Sequence, residues 1–315
     1  MRTPRGATLY SEGAHQGQRQ QGLGASKILL YIAIILIAGM LLLNFLPAVG
    51  VSGCVGVIEV SGEITSSSVY GGISSTEVNS LLMQAEGRPD IRSVLVVIDS
   101  PGGSVVASDE IYSTLNKMGK PTVAYIGDTG ASGGYYIALG ADKIFANPAS
   151  ITGSVGVRSG TLYDLSRLLN SSGINATAIK SGAMKDMGEV YRPLTRNETA
   201  MMQSIIDEMA ADFRELVLQS REGKNDRFSA ASLDRIADAR IITGKQAFAL
   251  GLVDDLGTRR DALNYAAAAV GMEPDPSVCE LKVQRDFLSS LFTSMGRGIG
   301  ESLSSFVANQ QLKVA

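Results

Sequence analysis

The sequence contains no tryptophan, a single histidine and only two cysteines among its 315 residues. Zinc sites in proteins rely on Cys and His ligands, so Cys54, Cys279 and His15 are too few for one, and we expect no metal. Two cysteines also do not make the disulfide scaffold of a small secreted protein. The pattern leaves open whether Cys54 and Cys279 pair in an oxidising compartment or are small buried residues.

Long basic stretches are missing as well. No basic stripe with interleaved aromatic residues occurs, which argues against nucleic acid as a partner. No G-x-x-x-x-G-K-[ST] phosphate loop is present, and we predict no cofactor. The net charge of −3 is uneven, because residues 1–27 carry +3 and the remainder −6. Residues 1–27 are also rich in Gly, Gln and Ser, which predicts a disordered tail.

Residues 28–46 form an apolar run that only Asn44 interrupts. Nineteen helical residues extend about 28 Å, close to the ~30 Å hydrocarbon core of a bilayer. We therefore predict a transmembrane helix within residues 28–50. The positive flank predicts a single-pass protein of the cell membrane, with residues 1–27 in the cytoplasm and the rest outside. The alternatives are a buried core helix, a cleaved signal peptide, and a lipoprotein whose box "VSGC" makes Cys54 a lipidated N-terminus.

Two continuous runs rich in β-branched residues, "SVLVVI" and "PTVAYI", predict strands that are buried on both faces, as in a parallel sheet. Each run leads through a glycine-containing turn into a helical pattern. Repeated units of this kind predict an α/β fold, with a parallel sheet wrapped by helices. Strands are predicted at 56–64, 93–98, 121–126 and 143–148, and helices at 75–87, 105–118 and 195–222.

Ser132 lies in "IGDTGASGGYYIALGAD", a small-residue turn that runs into a helix. A nucleophilic serine needs a base, but His15 lies in the predicted cytoplasmic tail, which excludes a Ser-His-Asp triad in this domain. Ser132 is then a helix cap, a residue of a non-catalytic relative, or a nucleophile with a lysine base. The segment "SPGGS" at 100–104 favours catalysis, because N–H groups of Gly103 and Gly133 could stabilise an oxyanion.

Two candidates for this lysine base, Lys180 and Lys185, lie in the polar segment "IKSGAMKDMGEVYRPLT". A lysine base must be neutral when it acts, so burial must bring its pKa well below ~10.4. The residues alone do not choose between these two lysines. Hydroxyls of Thr152 and Ser154 in "SITGSVGV" could hold the neutral amine in place.

Taken together, these segments resemble the signal peptide peptidase A family, membrane-anchored Ser-Lys peptidases of the S49 type. The resemblance covers residues 54–270, the predicted peptidase domain. The motifs that carry it are "VIDSPGGS", "GASGGYYIA", "ANPASITGSVGV", "KSGAMKDMG", "YRPLT" and "ITGKQAFALGLVDDLG". It implies a ClpP/crotonase-like fold and a serine endopeptidase.

Carried over position by position, the resemblance implies roles for five residues. Ser132 matches the nucleophile, Lys185 the general base, and Ser154 the residue that orients the lysine. Gly103 and Gly133 match the two oxyanion donors. The implied substrates are apolar peptides such as remnant signal peptides. In short relatives neighbouring subunits share the dyad, which implies a homo-oligomer.

Two functions of other classes remain as alternatives, a catalytically inactive membrane scaffold and a crotonase-like acyl-CoA-binding protein. The C-terminal region, residues 271–315, is predicted to be an amphipathic helical extension, since apolar residues at 285–309 recur near helical spacing. It is expected to pack on the domain or on a neighbouring subunit. A helix that lies on the membrane surface is the alternative.

Overall fold

The computed structural model describes residues 25–45, 53–67 and 72–282. The disordered tail is predicted for residues 1–27; residues 1–24 lie outside the described residues, and residues 25–27 instead begin a helix. The apolar pattern at 285–309 also lies outside the described residues, whereas Val278–Leu281, within the predicted C-terminal helical extension, forms a strand. The chain divides into two units, residues 1–51 and residues 52–315.

The first unit contains helix α1, Ala25–Phe45, which includes most of the predicted membrane-spanning run. The large apolar side chains of this helix are exposed from Leu29 to Ile37 wherever they are described. Among the described residues, no helix has both the length and the hydropathy that crossing a membrane requires. The membrane-spanning helix at residues 28–50 therefore stays a prediction from the sequence.

The second unit alternates strands with helices. Its strands are β1 (Cys54–Ser61), β2 (Ile64–Thr65), β3 (Ile73–Ser74), β4 (Ile91–Ser100), β5 (Thr122–Ala131), β6 (Lys143–Ala146), β7 (Ile151–Gly153), β8 (Ile241–Thr243), β9 (Asp255–Leu256) and β10 (Val278–Leu281). Its helices are α2 (Ser75–Gly87), α3 (Val105–Asn116), α4 (Gly133–Ala138), α5 (Ser166–Ser171), α6 (Arg196–Arg221), α7 (Ala230–Asp234), α8 (Gly244–Ala249) and α9 (Arg259–Ala268).

A mostly parallel sheet forms the centre of this unit. Its strands lie in the order β10-β1-β4-β5-β6-β9, and β7 pairs with the carboxyl end of β5 and with β8. Within the described residues, the β7–β8 pairing is the antiparallel one. Strands β2 and β3 form a separate two-stranded ribbon. The α/β fold with a parallel sheet wrapped by helices, predicted from the sequence, is confirmed.

Strand β4 shows why the sheet needs a continuous apolar run. Leu95 and Val97 belong to an apolar cluster that includes Ala262 and Ala266 of α9. The neighbouring Val96 belongs to a larger cluster on the other face, with residues of α2, α3, α4 and α6. Consecutive residues of a strand point to opposite faces, so a strand covered by helices on both faces must be apolar throughout.

Two helices begin where the sequence predicts. Ser74 caps α2 in a reciprocal hydrogen-bonded box with Glu77, and Thr195 caps α6 in the same way with Glu198. Such boxes satisfy backbone N–H groups that the first turn leaves free. Strand β5 instead continues beyond its predicted end to Ala131, because β7, an unpredicted strand, pairs with its carboxyl end.

A disulfide joins the strands at one edge of the sheet. Cys54 in β1 is bonded to Cys279 in β10, and the two strands pair in parallel. The bond answers the question that the sequence leaves open about these cysteines. It is incompatible with a lipid thioether on Cys54 in the same molecule, because a disulfide sulfur has no valence left for a lipid.

A buried ion pair fixes the C-terminal end of α6 to the sheet. The Arg221 guanidinium binds the Asp254 carboxylate, and both side chains are almost fully buried. Asp254 also accepts a 2.8 Å hydrogen bond from the Ile144 N–H in β6. Burial raises the pKa of Asp254, but the hydrogen bond and charge of Arg221 outweigh it and lower the pKa overall. The ionised pair therefore holds α6 in place.

Candidate active site

Two backbone turns meet at the carboxyl ends of β4 and β5. Ser132 and Gly133 follow β5, and Gly102 and Gly103 follow β4. A Cβ added to Gly102 would lie 2.7 Å from the Gly133 nitrogen, and one added to Gly133 would lie 3.2 Å from the Gly102 Cα. Gly102 also has a φ of +102°, a conformation that glycine adopts readily. The lack of a side chain at Gly102 and Gly133 thus allows the two turns to approach closely.

A register shift between β4 and β5 brings the turns opposite each other. Ile98 pairs with Ile126, but two residues later Ser100 pairs with Gly130. The extra residues of β5 are held by Asp99, whose Oδ1 accepts hydrogen bonds from the N–H groups of Asp128 (2.5 Å) and Thr129 (3.3 Å). Bulges of this kind often re-aim a side chain beside an active site.

Ser132 has an unusual backbone conformation, with φ 51° and ψ −120°. This combination lies outside the regions that L-residues normally occupy and costs on the order of 1–3 kcal/mol. Hydrogen bonds of 2.9 Å hold it on both sides, from its own N–H to the Gly153 carbonyl and from the Tyr136 N–H to its carbonyl. The Ser132 side chain makes no cap hydrogen bond to α4, which removes the helix-cap interpretation.

Two N–H groups beside Ser132 are free to bind an oxyanion. Within the described residues, neither the Gly103 nor the Gly133 N–H donates a hydrogen bond. The flanking groups are engaged, because Ile64 donates to the Gly102 carbonyl at 2.9 Å and accepts from the Ser104 N–H at 2.8 Å. Loss of one such donor in an acyl-transfer enzyme costs about 3–4 kcal/mol of transition-state stabilisation.

Ser132, Gly103 and Gly133 line one cleft of about 320 Å³. Its other lining residues come from α3, α4, α6 and the segment after β7, and they are Val105, Val106, Ser108, Asp109, Tyr136, Gly156, Val157, Met209, Asp212 and Phe213. A cleft with a nucleophile, two free donors and apolar walls is suited to bind an acyl group and to attack its carbonyl.

Ser154, the predicted lysine-orienting residue, lies beside Ser132. Gly153 pairs with Ala131 across β7 and β5, which places Ser154 beside the turn of Ser132. The Ser154 hydroxyl has no hydrogen-bond partner in the described part of the chain. The Thr152 hydroxyl, by contrast, is buried and donates to the Gly130 carbonyl at 2.6 Å, so Ser154 is the hydroxyl that remains available.

The two candidate lysines differ clearly. Lys180 forms an ion pair with Asp186, with a distance of 2.5 Å between Nζ and Oδ1. The Lys185 side chain is exposed and has no hydrogen bond or ion pair among the described residues. Lys185 is not among the residues that line the Ser132 cleft. The structure therefore leaves Lys185 available as a base but does not bring it to Ser132 within this cleft.

A charged cluster anchors the segment that carries Lys185. Arg192 binds both Asp186 (2.5 Å) and Glu198 (2.6 Å), and the two carboxylates are buried. Hydrogen bonds from Arg192 and Lys180 hold the pKa of Asp186 far below its usual range, and Arg192 lowers that of Glu198 to about 2. No local pattern beyond the motif "YRPLT" indicates this cluster, because its members meet only when the loop packs against the start of α6.

Among the described residues, one group of side chains has ligand atoms close enough together to hold a metal ion. It consists of Cys54, Asp90 and Cys279. Its two sulfurs are bonded to each other, so neither is the thiolate that binds a metal ion. The group is part of the disulfide edge of the sheet.

Family models and known proteins match much of the chain. Residues 114–273 match the model of Peptidase family S49, and residues 60–152 match that of Clp protease. A Synechocystis sp. protein named as a putative protease is 40% identical over 221 residues, which is 69% of this chain and 75% of that protein. A Methanocaldococcus jannaschii protein with a similar name is 34% identical over 71% of this chain and 70% of its own length.

A third relative is named for its catalytic type. The chloroplastic serine protease SPPA of Arabidopsis thaliana is 29% identical over 67% of this chain and 31% of its own length. The family match covers half of the chain, and the cyanobacterial relative is aligned over three quarters of its length. On these grounds the chain belongs to peptidase family S49 and is a serine protease of the SppA type.

Proposed function

We propose that the chain is a membrane-anchored serine endopeptidase that uses Ser132 and Lys185 as its catalytic dyad. The observation that carries this proposal is the position of Ser132, which lies in a strained turn beside two free N–H groups that line the same cleft. Lys180 is engaged by Asp186, which supports Lys185 as the base.

In this mechanism Lys185 accepts the proton of the Ser132 hydroxyl while Ser132 attacks the peptide carbonyl. The N–H groups of Gly103 and Gly133 stabilise the tetrahedral oxyanion. Lys185 then donates the proton to the leaving amine, and an acyl-enzyme remains. Lys185 next activates a water molecule, which hydrolyses the ester bond of the acyl-enzyme. Ser154 orients the amine throughout, since its hydroxyl has no other partner among the described residues.

We further propose that neighbouring copies share the dyad in a homo-oligomer. Lys185 does not line the cleft of its own chain. The segment around it exposes large apolar side chains, among them Tyr163 (66% exposed), Leu168 (61%) and Ile179 (102%). Burial of this surface against a second copy would also remove water from around Lys185. Loss of water favours the neutral form of a lysine, which is the form that acts as a base.

Membrane anchoring and substrate class rest on the sequence. The apolar run at 28–46 would tether the domain to the membrane, and the disulfide supports an oxidising compartment outside the cytoplasm. A site held there suits apolar peptides such as signal peptides that remain in the membrane after secretion.

The nucleophile is tested first. Ser132→Ala in the full chain should fold but lose peptide hydrolysis by at least about a thousandfold, because the oxyanion donors alone form no acyl-enzyme. Hydrolysis of a fluorogenic peptide panel measures this, and a serine-directed covalent probe should label Ser132. Ser204→Ala, an exposed serine of α6 outside the cleft, is the matched control. Activity that survives in Ser132→Ala would mean that another residue attacks the peptide.

The two lysines should behave differently. Lys185→Ala should abolish turnover, whereas Lys180→Ala should reduce it about tenfold or less, because Asp186 keeps its hydrogen bonds to Tyr191 and Arg192. In the unmodified protein kcat/KM should rise with pH, since only the neutral amine accepts a proton. Equal losses from both variants, or a flat profile from neutral to strongly alkaline pH, would contradict the role of Lys185.

Shared sites should permit complementation between two inactive variants. Ser132→Ala and Lys185→Ala are each expected to be inactive alone. When the two are co-expressed in equal amounts, about a quarter of head-to-tail interfaces should combine an intact serine with an intact lysine, and part of the activity should return. Failure of a purified mixed oligomer to recover activity would show that each site lies within one chain.

The compartment is tested through the disulfide. Cells quenched with acid and treated with an alkylating reagent should yield a protein with neither thiol modified, and reduction beforehand should expose both. The readout is unambiguous because Cys54 and Cys279 are the only cysteines of the chain. Two alkylated thiols without reductant would place the domain in a reducing compartment, against the proposed topology.

A further inference from the structure

Two carboxylates in the Ser132 cleft have no part in the peptidase mechanism. Asp109 of α3 and Asp212 of α6 both line the cleft. Among the described residues that line it, none is a lysine, an arginine or a histidine. In the described part of the chain Asp212 makes no hydrogen bond or ion pair, so its charge has no counter-ion among those residues.

Tyr136 orients the other carboxylate. Its hydroxyl donates a 2.9 Å hydrogen bond to Asp109 Oδ1, which leaves Oδ2 available to a ligand. Burial, this hydrogen bond and nearby negative charge, including that of Asp212, raise the pKa of the Tyr136 hydroxyl. The phenol therefore stays protonated and keeps donating to Asp109.

The remainder of the cleft wall is apolar. The Tyr136 ring packs on Phe213 with 4.9 Å between ring centroids, and Val105 and Met209 complete the surface beside them. The cleft thus offers an aliphatic or aromatic wall together with two carboxylates. Long cationic side chains combine the same two properties, since their methylene stems pack on apolar surface while their charged ends reach polar groups.

We infer that this cleft accepts a lysine or arginine side chain of the substrate, at the residue whose carbonyl Ser132 attacks. Ser132 and both oxyanion donors line the same cleft, so the side chain next to the attacked carbonyl is the one that enters it. Its cation then lies beside Asp109 and Asp212, where charge-assisted hydrogen bonds form. This inference rests on the proposed peptidase function and specifies its substrate.

A purely apolar side chain fits the same space less well. It would displace water from Asp109 and Asp212 without replacing the lost hydrogen bonds, and dehydration of unpaired carboxylates is unfavourable. The cleft therefore discriminates in two ways, by attraction of a cation and by a penalty on its neutral analogue. Signal peptides contain both kinds of segment, because a positively charged region precedes their apolar stretch.

The test uses three peptides that differ only at the residue before the scissile bond, which is lysine, Nε-acetyl-lysine or norleucine. The unmodified enzyme should show a kcat/KM about tenfold higher for lysine than for either neutral residue at low salt, because exposed carboxylates contribute modestly each. Added salt should reduce this ratio. In the double variant Asp109→Asn/Asp212→Asn the ratio should fall to about one.

Asp207→Asn is the matched control. Asp207 lies on α6, as Asp212 does, but it is hydrogen-bonded to Gln203 and does not line the cleft. This variant loses one negative charge from α6, as Asp212→Asn alone does, and should keep the ratio of the unmodified enzyme. A ratio of one in the unmodified enzyme, or a ratio that the double variant does not change, would overturn the inference while leaving the peptidase proposal intact.

Measurements of peptide binding distinguish a failure of this inference from a failure of the proposed catalysis. If the unmodified enzyme hydrolysed no peptide, the proposed function would fail. Calorimetry with Ser132→Ala would still show whether the cleft binds a cationic side chain. Tighter binding of the lysine peptide than of its acetylated form, lost when Asp109→Asn and Asp212→Asn are added, would support the cationic subsite. Equal binding of the two peptides would overturn it.

Discussion

The contact between the turn at Gly102–Gly103 and the turn at Ser132–Gly133 is the constraint on which the site depends. A Cβ at Gly102 would overlap the backbone of the opposite turn, and a Cβ at Gly133 would crowd it and collide with the Ser108 hydroxyl. The register shift held by Asp99 sets the two turns face to face, and pairing with β7 brings Ser154 to the same place. The nucleophile, the free N–H groups and the cleft all follow from this approach of two backbones.

Helix α6 connects the cleft to the segment that carries Lys185. At its first turn Glu198 is bound by Arg192, which also binds Asp186, the residue after Lys185. At its last turn Arg221 binds Asp254, which also accepts a hydrogen bond from Ile144 in β6. Between these two ends the helix contributes Asp212 and the apolar Phe213 to the cleft. Ion pairs near both ends therefore hold one helix that lines the cleft and is joined to the segment of Lys185.

The parts of the molecule that depend on local pattern could be predicted, and those that depend on tertiary contacts could not. The runs in β4 and β5 and the caps at Ser74 and Thr195 are local signals, and each indicated its element correctly. The residues alone do not separate Lys180 from Lys185, because the ion pair of Lys180 with Asp186 forms only in the folded loop. Strands β7 and β10 are short, and partners distant in sequence define them.

The disulfide between β1 and β10 has a consequence for the integrity of the chain. It connects residues that are 225 positions apart, so nearly the whole described domain lies within one covalent loop. A single cut anywhere in that loop, including a cut by another copy of the enzyme in the exposed stretch around Tyr163 and Ile179, leaves both fragments attached to each other. Electrophoresis without reductant would therefore record a nicked and an intact molecule at the same mass.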